Sequence, residues 1–282
     1  MKFKHLFSLL ALCLGTWTSA QTLSQSLSQP LSQPNVIAHR GFSAHAPENT
    51  LAAFQMAIDS GITIFELDVH VTSDDSLVVI HDHSTGHTAS DGQNVIVNQI
   101  TYQELSEIKA GYPKVFGELF KDEPYPTLRE ALTLAKGKSK VCIELKVDSV
   151  EDAVIKTIYQ MGMENEVYIF SFDYEVIKAF QREDPSLPVI YLLEFSTHSV
   201  EKDIEKALDA GASGVGVGPM YPLTKPVIEK YHSEELLVFN WTINDPAEME
   251  HLIKIGVDGI ISDYPTTVKR KIAEASEPMK EE

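Results

Sequence analysis

Short apolar runs alternate with amphipathic stretches along most of this chain. The runs fall at 35–39, 62–69, 140–146, 166–171, 188–193, 213–217, 236–242 and 258–262. Between and after them, apolar residues recur at helical spacing over 50–60, 127–136, 150–161, 173–183, 199–210, 222–232, 246–255 and 265–275. Strands buried on both faces of a parallel sheet read as continuous apolar runs, and their alternation with helices defines the α/β class. Eight such units predict a (β/α)8 TIM barrel. An open doubly wound sheet is the other fold that the pattern admits.

One run breaks the alternation. Residues 77–81 (LVVIH) follow the second strand after the polar stretch Thr72-Ser-Asp-Asp-Ser76. So short a link cannot make a parallel crossover, which predicts an antiparallel hairpin. A turn centred near 74–75 places His81 roughly opposite Asp68. Residues 83–126 carry few periodic signals beyond a helix near 101–109, and are expected to form an insertion over one barrel mouth.

The start of the chain reads differently. Lys2 and Lys4 precede the apolar run Leu6–Leu14, and Thr18-Ser19-Ala20 closes it with small residues. This is the pattern of a secretory signal peptide over 1–20, cleaved after about Ala20 and directing the protein to the periplasm or outside the cell. The run is too short to span a bilayer. Lipoprotein processing at Cys13 is a rival, opposed by Leu12 where small residues are favoured. Residues 21–34 (QTLSQSLSQPLSQP) form a low-complexity leader, and 35–282 a single barrel domain. Of the two cysteines only Cys142 survives cleavage, so no intramolecular disulfide is expected, and its apolar surroundings make it a core residue.

Charge narrows the partners. Lys and Arg total 23 against 41 Asp and Glu, a formal net charge of −18. Nucleic acid and anionic membranes reward clustered cations, so neither is expected as a partner. A small anionic substrate is compatible, provided that a metal or a few cations reverse the local field.

Barrel chemistry gathers at the C-terminal ends of the strands. Glu66 and Asp68 lie two apart and leave the same strand face, with Phe65, Leu67 and Val69 on the other; Glu144 and Lys146 repeat the pattern. Two adjacent strands thus aim three carboxylates at one mouth. Their repulsion predicts a hard divalent cation held by Glu66, Asp68 and Glu144, either Ca²⁺ or Mg²⁺. His39 and His81 are the acid–base candidates, because imidazole exchanges protons near neutral pH. Arg40 and Lys146 suit phosphate oxygens, or pair with Glu48 and Glu144. Trp241 offers an apolar wall or packs in the core. Asn49 or Thr50 is the expected cap of the first helix. The glycines of Gly214-Val-Gly-Val-Gly218 fall within a strand, and no Gly-rich phosphate loop or nucleophile elbow is present.

Taken in order, His39-Arg-Gly41, Ala46-Pro-Glu-Asn-Thr50, Glu66-Leu-Asp-Val69, Val79-Ile-His-Asp82, Tyr125-Pro-Thr-Leu128, Ile143-Glu-Leu-Lys146, Ser171-Phe172, Trp241-Thr-Ile-Asn-Asp245 and Asp258-Gly-Ile-Ile-Ser-Asp263 resemble the motifs of glycerophosphodiester phosphodiesterases. The resemblance spans about 36–270. It implies a (β/α)8 barrel with a bound Mg²⁺ or Ca²⁺ on Glu66, Asp68 and Glu144. It further implies His39 and His81 as the acid–base pair, Arg40 and Lys146 as phosphate contacts, and Trp241 as a wall for glycerol. The implied reaction converts a small glycerophosphodiester to glycerol 3-phosphate and an alcohol. The sequence departs from the family at 83–90, where an Arg-Thr-Thr-like run gives way to HSTGHTAS. Competing readings are a lysophospholipase D or sphingomyelinase D activity with an apolar groove near Phe116, Leu119 and Phe120; a barrel amidohydrolase using the H-x-H of His81 and His83; and a non-catalytic binder of phosphodiesters.

Overall fold

The computed structural model describes residues 33–194 and 199–276. The expected signal peptide, Cys13 and nearly all of the leader lie outside the described residues.

Eight parallel strands close into a barrel: β1 (Asn35–Ala38), β2 (Ile64–Val71), β4 (Lys140–Leu145), β5 (Val167–Ser171), β6 (Val189–Leu193), β7 (Gly214–Val217), β8 (Leu237–Asn240) and β9 (Gly259–Ser262). Closure comes from β1, which pairs with β2 on one side and β9 on the other, so the sheet is not open. Each predicted strand is present, with its ends shifted by a residue or a few. A ninth strand, β3 (Leu77–Val79), lies outside the barrel and runs antiparallel to β2.

Helices cover the barrel where the sequence supplies both an apolar stripe and a cap. The main ones are α1 (Leu51–Asp59), α4 (Leu128–Ala135), α5 (Glu151–Met161), α6 (Tyr174–Glu183), α7 (Val200–Asp209), α8 (Lys225–Ser233), α9 (Pro246–Ile255) and α10 (Pro265–Ser276); α2 (Tyr102–Glu107) and α3 (Pro113–Phe116) lie in the insertion. Thr50 accepts from the Ala53 amide to cap α1. Thr127 and Glu130 form a capping box on α4, and Asp173, Ser199 and Asp245 cap later helices. The helix expected from 222 begins only at Lys225, because the chain first turns through Tyr221 onto Gly218. No helix among the described residues is long and apolar enough to cross a membrane.

The period of two divides each strand between two cores. Phe65, Leu67 and Val69 face the helices, where Phe65 stacks on Phe54 of α1 with centroids 4.5 Å apart. Ile64 and Cys142 face the barrel axis with Tyr168, Phe170, Ile190, Leu192, Phe239 and Ile261. The barrel is therefore plugged with side chains, and its polar residues gather above the plug. The glycines of β7 have a packing reason. A Cβ on Gly214 would lie 2.6 Å from the Leu237 carbonyl oxygen, and one on Gly216 would lie 2.5 Å from Leu192.

The hairpin turns one half-residue earlier than the sequence suggests. Asp75 adopts φ 61°, Thr72 pairs with Ser76, and the register is Val69↔Val79. Ile80, not His81, therefore bonds the Asp68 carbonyl. The insertion has its own small core of Val78, Ile80, Ala89, Val97, Leu105, Ile108 and Tyr125. Glu123 fastens it to the barrel by accepting from the Ala52 amide at the start of α1.

Gly214→Ala is expected to destabilise the fold by about 1–3 kcal/mol, because the new methyl meets strand backbone that cannot swing aside. Denaturant unfolding of the purified variant measures this; an unchanged midpoint would show that β7 and β8 can separate without cost.

Candidate active site

The turn after β1 sets the first site residues in place. Arg40 and Gly41 both take positive φ, 52° and 82°. A Cβ on Gly41 would lie 2.7 Å from the Ala53 backbone carbon, so only glycine lets the turn press against α1. The turn aims the Arg40 amide at Glu66 Oε2 (2.8 Å) and its guanidinium at Glu48 (2.8 Å) and Asp68 (3.4 Å). Thr50 being the helix cap, Asn49 is free for other work. Its side-chain amide donates to Asp68 Oδ2 at 2.7 Å and accepts from the Asp68 amide at 3.1 Å.

Glu66, Asp68 and Glu144 converge as the strand faces require. Asp68 and Glu144 are direct partners across the β2–β4 register, and one oxygen from each of the three residues lies within 4.8 Å of the others. Glu66 and Asp68 are almost fully buried. Glu66 Oε1 and Asp68 Oδ1 have no hydrogen-bond partner, though Lys146 stands 3.5 Å from the latter. Lys146 also bonds Glu144 at 2.7 Å. Both cationic side chains thus make the ion pairs that compete with a phosphate role, while bordering the same cavity. Buried oxygens without partners are costly, and three carboxylates in this arrangement fit a hard cation. Among the described residues this is the group of His, Cys, Asp and Glu side chains placed to hold a metal.

Electrostatics separates the three acids. Burial, with Asp68 and Glu144 nearby, pushes Glu66 well above the usual carboxylate range. Burial and Asp68 push Glu144 up to about 7, against the pull of Lys146. Burial also works to raise Asp68, but Arg40 and Lys146 outweigh it and hold Asp68 below its ordinary value. The same two acids keep Lys146 charged despite its burial.

Both candidate histidines reach this mouth. His39 is held through Nδ1 by Asp263 Oδ1 at 2.7 Å, and its Nε2 lies 3.4 Å from Thr242 Oγ1. His81 is held through Nδ1 by Asp82 at 2.8 Å. A carboxylate only accepts, so each neutral ring carries its proton on Nδ1 and leaves Nε2 unprotonated. Burial, helped by Arg40 and Lys146, lowers the His81 pKa. His83 is exposed and outside the carboxylate group, which removes the H-x-H reading. His70 bonds the His81 carbonyl and is structural.

These side chains line a cavity of about 110 Å³. His39, Arg40, Glu66, His81, Glu144 and Lys146 form its polar half, facing apolar walls that include Phe172, Leu192 and Trp241. Trp241 therefore lines the cavity as well as capping the barrel plug, with Phe172 edge-on to it at 5.3 Å. The Trp241–Thr242 peptide is cis.

Sequence patterning assigns no role to Ser43, Asn244 or Asp263, and offers Asn49 only as a helix cap. Asn49, Asn244 and Asp263 lie inside the ordered motifs, which was the available signal. Their partners are distant in sequence, so their contacts were invisible.

The chain is similar to known proteins over most of its length. Residues 39–267 match the Glycerophosphoryl diester phosphodiesterase family. A glycerophosphodiester phosphodiesterase of Caldanaerobacter subterraneus is 35% identical over 83% of this chain and 95% of its own. Human lysophospholipase D GDPD1 is 22% identical over 83% of this chain and 84% of its own. An Oleispira antarctica phosphodiesterase, solved with the product sn-glycerol-3-phosphate, superposes with a TM-score of 0.76 at 25% identity, covering 89% of this chain and 99% of that one.

The raised acids have a measurable consequence without metal. A carboxyl whose folded pKa exceeds its unfolded value binds extra protons in the folded state, so stability is lost as pH rises from the unfolded value, about 4.5, through about 7. Glu144→Gln should therefore stabilise the chelator-treated protein at pH 8 by on the order of 1 kcal/mol, and little at pH 5. Added Ca²⁺ should stabilise the parent at pH 8 far more than the variant. Denaturant unfolding at both pH values reads this, and equal stabilities throughout would contradict it.

Proposed function

This chain belongs to the glycerophosphoryl diester phosphodiesterase family and is a phosphoric diester hydrolase of that kind, and on that premise we propose that it cleaves glycerophosphodiesters to sn-glycerol 3-phosphate and an alcohol in a metal-dependent reaction, with His39 and His81 as the acid–base pair. One observation carries this reading: three carboxylates, with two buried oxygens that accept no hydrogen bond, converge at a cavity that Glu66 and Glu144 line together with two imidazoles, each anchored through Nδ1.

Glu66, Asp68 and Glu144 would hold one divalent cation, Ca²⁺ or Mg²⁺. A cation held there would supply positive charge to offset the charge that builds on the phosphate in the transition state. Arg40 and Lys146 add fixed cations on the same side of the cavity. One imidazole enters neutral and accepts the proton of the nucleophile at Nε2, and the other enters as imidazolium, protonated on both ring nitrogens, and gives its Nε2 proton to the departing alkoxide. The nucleophile is water or the glycerol 2-hydroxyl of the substrate. Trp241 and Phe172 give the carbon skeleton an apolar wall and keep water from that side. The product named in the Oleispira structure is the one expected here. The N-terminal segment over 1–20 directs the enzyme to the periplasm or beyond, and this delivery is part of the proposal.

A second reading is lysophospholipase D activity at the same site. It is favoured by apolar side chains on the insertion that point to solvent, Val115 at 59% and Leu119 at 76% exposure, and by the human relative's activity.

A coupled assay separates the two. With glycerophosphocholine and Ca²⁺ or Mg²⁺, glycerol 3-phosphate should accumulate and should stop on chelation. Release of choline from lysophosphatidylcholine alone would favour the second reading. His39→Ala and His81→Ala should each lower turnover by about 10²–10⁴-fold; near-parental rates in either would remove that histidine from the mechanism.

A further inference from the structure

We propose that Asp263, clamped by Asn244 and Ser43, is a positioning residue that fixes the tautomer and aim of His39. The inference rests on His39 acting in proton transfer. The Asp263 side chain is otherwise without a role in the reaction, since it lies outside both the acidic triad and the cavity lining.

Three loops at the C-terminal rim build the clamp. Asp263 Oδ1 accepts from His39 Nδ1 at 2.7 Å and from Ser43 Oγ at 2.9 Å. Its Oδ2 accepts from Asn244 Nδ2 at 2.6 Å. Asn244 is itself fixed, because its Oδ1 accepts from the Asp263 amide (3.0 Å) and from Ser262 Oγ (3.1 Å). The Ser43 hydroxyl proton is shared between Asp263 and the His39 carbonyl, 2.8 Å away, tying the backbone and ring of His39 into one unit. Asp263 is held at a pKa of about 2, its bonds to His39, Asn244 and Ser43 overcoming partial burial, so it stays an anion through the working range.

The other histidine is held differently. Asp82 is 43% exposed and, among the described residues, bonds the His81 ring and no further side chain. One imidazole is therefore rigid and the other comparatively free. A proton-transferring group gains from fixed geometry, because ring rotation takes Nε2 out of reach of the reacting oxygen. A buried anion on Nδ1 also favours the imidazolium that forms once Nε2 takes a proton.

The test compares Asp263→Asn and Asp82→Asn in the metal-loaded enzyme. Asp263→Asn should lower kcat on glycerophosphocholine by about 10²-fold or more, with KM and Ca²⁺ affinity within about twofold, by analogy with other imidazole-orienting carboxylates; Asp82→Asn should cost clearly less. In ¹⁵N NMR of the metal-free protein, the His39 Nδ1 proton should be resolved in the parent and in Asp82→Asn, and lost or shifted in Asp263→Asn. Ser43→Ala keeps the carboxylate and should lower kcat by about tenfold, which covers the case in which Asp263→Asn does not fold. A parental kcat in Asp263→Asn, or a loss that tracks Ca²⁺ affinity and thermal stability, would overturn the proposal. Should His39→Ala retain turnover while the Nδ1 signal still depends on Asp263, the failure belongs to the acid–base reading and the clamp is merely structural.

Discussion

Three carboxylates packed into one barrel mouth are the constraint around which the rest of this structure is arranged. Buried like charges repel, and each also loses its hydration. The protein answers with a set of partial compensations: Arg40 and its own backbone amide, Lys146, and the Asn49 side chain. None of these satisfies Glu66 Oε1 or Asp68 Oδ1 by a hydrogen bond. The folded chain thus presents an acidic group that could hold a doubly charged ion.

The barrel makes this arrangement rigid. Asp68 and Glu144 are neighbours in a parallel ladder, so their separation is set by backbone hydrogen bonds and not by flexible loops. The apolar plug of Phe170, Leu192, Phe239 and Ile261 closes the space beneath them. The turn at Arg40 and Gly41 is held against α1 by an approach that tolerates no Cβ, which brings a cation over the acids. Above this floor the loops differ in firmness. The rim that carries His39 is cross-linked through Asp263, Asn244 and Ser43, whereas His81 stands where the hairpin meets the insertion.

The insertion adds a region whose sequence departs from the family motifs. It has a separate core and is fastened to the barrel by Glu123. Its aromatic run places His87 against Tyr112, Tyr112 against Phe116 and Phe116 against Phe120. His87 in turn lies 4.0 Å from Glu48, the partner of Arg40. The insertion is thus linked through His87 and Glu48 to Arg40, which lines the cavity.

Local pattern was enough to determine the strand faces, because side chains alternate with a period of two wherever a strand forms. Glu66, Asp68 and Glu144 could thus be placed on inward faces from sequence, and Phe65, Leu67 and Val69 on outward ones. Other features depended on closure of the barrel. His39 meets Asp263 across 224 positions only because β1 and β9 are neighbours. Whether Asn49 or Thr50 capped α1, and whether Trp241 filled the core or the cavity, turned on packing between elements. The hairpin register turned on one residue, Asp75, adopting a left-handed conformation. Sequence by itself determined which residues share a face; only the closed tertiary structure decided which faces meet, because hydrogen-bond partners and packing distances between remote segments are properties of the assembled barrel.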